Sequence, residues 1–126
     1  MKIDIELGPD QITFRSPQGS LTLRTSVFVE RDGDHYKVLG FSDTPQLGTK
    51  SVGLFNGECD MPAELPTLLE KFLAYGISFH VKGVTIFRPV VVFKNVRSLD
   101  AVLHGYQDGL LNVIADRAGA RIVEFG

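Results

Sequence analysis

The sequence predicts a mixed α/β domain, with strands first and then helix, strand, helix, strand. Three observations carry this: strict alternation of apolar and polar residues near the start, one helical stripe in the middle, and a short apolar run near position 90. The 126 residues make one domain, 1–126. A chain of this size buries roughly two-thirds of its unfolded surface, so it needs neither metal nor disulfide to hold it together.

Ile3, Ile5 and Leu7 alternate with Lys2, Asp4 and Glu6, which predicts a strand with one buried face. Gly8-Pro9-Asp10 breaks it, and Gln11–Arg15 alternates again. Ser16-Pro17-Gln18-Gly19 is a turn cluster. Leu21–Glu30 is rich in Thr, Val and Phe and reads as one long or bulged strand. Arg31-Asp32-Gly33-Asp34 signals a hairpin, returning as Tyr36–Phe41. Ser42–Met61, with Pro45, Gly48, Gly53 and Gly57, reads as a long loop with little regular structure whose Leu54-Phe55 pair docks on the core.

Pro62-Ala63-Glu64 opens a helix, with Asp60 as N-cap. Leu65, Leu68, Leu69, Phe72 and Leu73 line one helical face. The helix ends near Gly76 or extends toward His80, and Ile77–Phe87 fits either a helix end or a strand. Pro89–Asn95 reads as a central strand covered on both faces. Ser98 then caps a second helix whose stripe is Leu99, Val102, Leu103, Tyr106, Leu110, Val113 and Ile114. Gly105 and Gly109 leave a smooth strip on it, and Gly119 is its C-cap. Ala120–Phe125 is the last strand. The order βββ(β)αβαβ, a mixed sheet with helices packed on it, is the ribonuclease H-like arrangement and that of the actin-like ATPase subdomain.

Composition narrows the function classes. A net charge of −2 gives no electrostatic reason to expect nucleic acid or an anionic membrane as partner. Cys59 is the only cysteine, so no intramolecular disulfide or CxxC metal site forms, and a small buried residue is the expected role. The alternating, acidic start is unlike a secretory signal, and no apolar run reaches ~20 residues. A cytoplasmic protein is expected.

Several segments carry a family likeness in order. Ile5-Glu6-Leu7-Gly8-Pro9-Asp10-Gln11-Ile12 is similar to a first phosphate loop written I-D-L-G-T-A-N-T. Ser26-Val27-Phe28-Val29 is similar to a P-S-V-V segment, and Lys37-Val38-Leu39-Gly40 to the strand after it. Arg88-Pro89-Val90-Val91-Val92-Phe93 matches an R-P-x-V-x-V strand, and Ala115–Glu124 an A-x-x-A-G-A-R-x-V passage. Over nearly its whole length the chain thus resembles the first subdomain of bacterial actin-like, rod shape-determining (MreB-type) proteins.

The resemblance implies a cofactor-binding loop at Glu6, Gly8, Pro9, Asp10 and Gln11, and the same residues imply that it is degenerate. In the family an aspartate works with the bound metal, and Gly-Thr cradles phosphate with backbone N–H groups. Here Glu6 takes the aspartate position and Pro9 replaces the threonine, removing a backbone donor and a hydroxyl together. The second phosphate loop and the adenosine pocket of the family would fall beyond Gly126. No cofactor is therefore expected on this chain.

Other constellations are weaker. Asp4 and Glu6 share a strand face, and a two-metal nuclease would add a helical acid, Glu64 or Glu70. The central strand ends in Lys94-Asn95 instead of an acid, so a solvated strand face is the plainer reading. His35, His80 and His104 lack metal-ligand spacing. No G-x-S-x-G, G-x-x-x-x-G-K-[ST] or G-x-G-x-x-G motif is present. Apolar residues of the segments 47–55 and 77–87, namely Leu54, Phe55, Phe79, Ile86 and Phe87, either form an interface or finish the core.

The expected function is non-enzymatic: an actin-like subdomain working through protein contacts in cell-shape or cytoskeletal organisation, as a homo-oligomer or beside an actin-like filament protein. The alternatives are a metal-dependent ribonuclease H-like nuclease and a fragment of a longer actin-like ATPase.

Overall fold

The computed structural model describes residues 2–17, 19–43, 50–55, 62–80, 89–99, 107–118, 120 and 122–125. The strands are β1 (Lys2–Glu6), β2 (Gln11–Ser16), β3 (Gly19–Arg24), β4 (Ser26–Asp32), β5 (His35–Phe41), β6 (Lys50–Gly53), β7 (Val90–Lys94) and β8 (Ile122–Phe125). The helices are α1 (Leu65–His80), led in by a 3-10 turn at Pro62–Glu64, and α2 (Gln107–Ala118). A second 3-10 turn spans Val96–Leu99.

The main sheet runs β3-β2-β1-β7-β8. β1 pairs antiparallel with β2 and parallel with β7, and β7 pairs parallel with β8. The architecture is thus α/β with a mixed sheet. Period two sorts its side chains. Ile3, Ile5, Ile12, Phe14, Leu23, Val91 and Phe93 are fully buried on the face that meets the helices. Asp4, Glu6, Thr13, Arg15, Arg24 and Lys94 alternate onto the other face.

The helix α1 buries Leu68, Leu69, Phe72, Leu73, Gly76 and Ile77. Gly76 is required there, because a Cβ at this position would lie 2.3 Å from the Phe14 ring. Phe14 also meets Phe72, with ring centroids 6.1 Å apart. Each fully buried aromatic or aliphatic side chain contributes about 1.5–3 kcal/mol by leaving water.

Thr25 divides the expected long strand Leu21–Glu30 into β3 and β4, which enter different sheets. Leu23, Thr25, Val27 and Val29 are all buried, so the alternation runs unbroken across the corner and periodicity cannot see it. The corner appears only in the bonding. Thr25 N–H donates to the Asp10 carbonyl at 3.1 Å, and the Thr25 carbonyl accepts from Leu54 N–H at 2.7 Å.

The second sheet, β5-β4-β6, includes a strand inside the expected loop Ser42–Met61. β6 has four residues and pairs Val52 with Val27. Between β4 and β5 the register shifts at Phe28/Val29, and the hairpin closes with Asp32 opposite His35. Phe41 stacks on Tyr75 at 4.2 Å and meets Phe72 edge-on at 6.1 Å, which joins this sheet to α1.

The helix α1 takes the longer of its two expected ends and continues to His80. Ser98 lies in the 3-10 turn and bonds to carbonyls instead of capping a helix. The buried side of α2 is Leu111, Ile114 and Ala115, while Val113 is 52% exposed. Of the rest of the expected stripe, Leu99 is buried in the 3-10 turn, Leu110 is partly buried and Ile114 is buried, and Val102 and Leu103 lie outside the described residues. Asp60, Tyr106, Gly105 and Gly119 lie outside the described residues.

Candidate functional site

The C-terminal ends of the two central parallel strands, β1 and β7, lie side by side, the usual place for ligand sites in parallel sheets. The candidate phosphate loop leaves β1 at this point. Leu7 N–H donates to the Lys94 carbonyl at 2.9 Å, extending the ladder by one bond. Asn95 takes φ 60°, a conformation asparagine tolerates, and its Nδ2 donates to the Leu7 carbonyl at 3.1 Å. Ser98 Oγ–H donates to the Asn95 carbonyl at 2.7 Å, with the Leu7 carbonyl at 3.1 Å.

The far side of the loop is clasped by the corner residue. Thr25 Oγ–H donates to the Pro9 carbonyl at 2.6 Å, while its N–H holds the Asp10 carbonyl. Gly8 has no space for a side chain, since a Cβ would lie 2.9 Å from the Gln11 carbonyl oxygen. Leu7, Pro9 and Asp10 thus spend their carbonyls on the fold, and Pro9 has no N–H to offer an anion. The cleft beside the loop is shallow and is lined by Pro9, Asp10, Arg24, Thr25, Ser26 and Gly53.

Asp4 and Glu6 point to the polar face, and each meets a cation. Arg15 Nη1 bridges Glu6 Oε2 at 2.5 Å, and Lys94 Nζ bridges Asp4 Oδ2 at 3.3 Å. Both bridges run diagonally, since the register sets Asp4 opposite Arg15 and Glu6 opposite Lys94. Such partly exposed pairs add little stability, about 0–1 kcal/mol each. Each carboxylate is thereby paired with a cation of the chain itself. Asp4 Oδ1 is buried and has no hydrogen-bond partner among the described residues.

The helical acids do not join them. The helix α1 covers the opposite face of the sheet, where Gly76 abuts Phe14. Glu64 instead meets His35 at the β4–β5 hairpin, Oε1 to Nδ1, at 2.6 Å. Among the described residues no three His, Cys, Asp or Glu side chains converge on a possible metal position.

His80 is fully buried, an arrangement its sequence context did not announce. Its Nε2–H donates to the Phe14 carbonyl at 2.9 Å. With that nitrogen a donor, Nδ1 accepts from Ser16 Oγ–H at 2.6 Å. The imidazole therefore pins the end of α1 to β2. Its signal was the spacing from Leu69, Leu73 and Ile77, which places position 80 on the same helical stripe. Cys59 and His104 lie outside the described residues.

Among the interface candidates, Leu54 and Phe55 are buried within the core cluster. With Leu65, Pro66, Leu69 and Leu110 they line a small apolar depression. Phe79 is exposed at the end of α1, with its ring edge-on to His80 at 5.0 Å. Ile86 and Phe87 lie outside the described residues. Among the described residues no helix is long and apolar enough to cross a membrane. In comparison with known proteins, no family model matches this chain and no curated protein matches it.

Proposed function

We propose that this chain is an actin-like subdomain of ribonuclease H-like topology that has given up nucleotide chemistry and acts through protein contacts. On this reading it self-associates or joins an actin-like filament protein in cell-shape organisation, and it works in the cytoplasm. The clasped loop carries the proposal: Thr25, Asn95 and Ser98 hold the carbonyls of Leu7, Pro9 and Asp10 in place around a proline. The Arg15–Glu6 and Lys94–Asp4 pairs support it, because they neutralise the carboxylates that a metal–phosphate site would need free. The strand order supports the topology, with β1 central, the β2–β3 hairpin on one side and the two post-helical strands on the other.

Light scattering and thermal denaturation, each with and without Mg²⁺-ATP, test this reading. The expected result is a defined oligomer indifferent to ATP. A ligand at a hundredfold its Kd stabilises by about 2.7 kcal/mol. For a domain of this size that is a rise in Tm of roughly 10 °C. A rise of that kind with Mg²⁺-ATP would refute the proposal.

A further inference from the structure

We draw no further inference here: the strongest candidate, the small apolar depression that Leu54, Phe55, Leu65, Pro66, Leu69 and Leu110 line where the end of β6 meets α1 and α2, carries nothing, because nothing among the described residues shows what covers it.

Discussion

Gly76→Ala should destabilise the protein although alanine is the better helix former. In an exposed helix the exchange gains about 1 kcal/mol. Here the new methyl would sit 2.3, 2.4 and 2.5 Å from three atoms of the Phe14 ring. Carbon atoms pack at about 3.5–4.0 Å, so the ring or the helix must move by about 1 Å. Neither moves freely. Phe14 is fully buried and packs on Phe72, and its carbonyl is held by His80 at 2.9 Å. Overpacking of this kind costs about 1–3 kcal/mol, and three contacts this short belong at the upper end. After the helix gain is subtracted, a net loss of about 1–2 kcal/mol is expected. Urea denaturation followed by circular dichroism would read it as a lower midpoint at unchanged slope. A double-mutant cycle with Phe14→Leu supplies the mechanism. The smaller residue makes room for the methyl, so the pair should lose less than the two single losses added. A Gly76→Ala protein as stable as wild type, or strictly additive losses, would refute the packing argument.

Two further substitutions test polar groups in the interior. The Tyr36 hydroxyl is buried without a hydrogen-bond partner among the described residues, so Tyr36→Phe should leave stability unchanged or raise it by up to about 1 kcal/mol; thermal denaturation decides, and a clear loss would mean that the hydroxyl has a partner in solution. Ser16→Ala should cost about 1–3 kcal/mol by leaving His80 Nδ1 buried without its donor, and nitrogen NMR of the imidazole should shift at Nδ1, not only at the backbone of β2.

Much of the fold was legible because it follows from local rules. The alternation at Ile3–Leu7 and Gln11–Arg15, the stripe from Leu65 to Leu73, and the apolar run at Val90–Phe93 each became the expected element. The errors share a cause. The break at Thr25 and the pairing of Lys50–Gly53 depend on partners remote in the chain, and a residue keeps its buried side whichever sheet it joins. Val113, expected on the helical stripe, stands exposed beside the buried row of Leu111, Ile114 and Ala115. In the candidate site, Pro9 and Gly8 were readable as departures from a phosphate loop. Thr25, Asn95 and Ser98 were not, since nothing in a one-dimensional pattern brings position 25 or 95 to position 9.

By itself, then, the sequence determined β1, β2, α1 and β7, the buried faces of the early strands and the loss of a backbone donor at Pro9. These are properties of single residues and of their near neighbours along the chain. The tertiary structure alone decided that Thr25 closes the loop, that Arg15 and Lys94 sit against Glu6 and Asp4, and that His80 ties α1 to β2. Each of these depends on strand order and register, which are set by how whole faces pack and which no local pattern specifies.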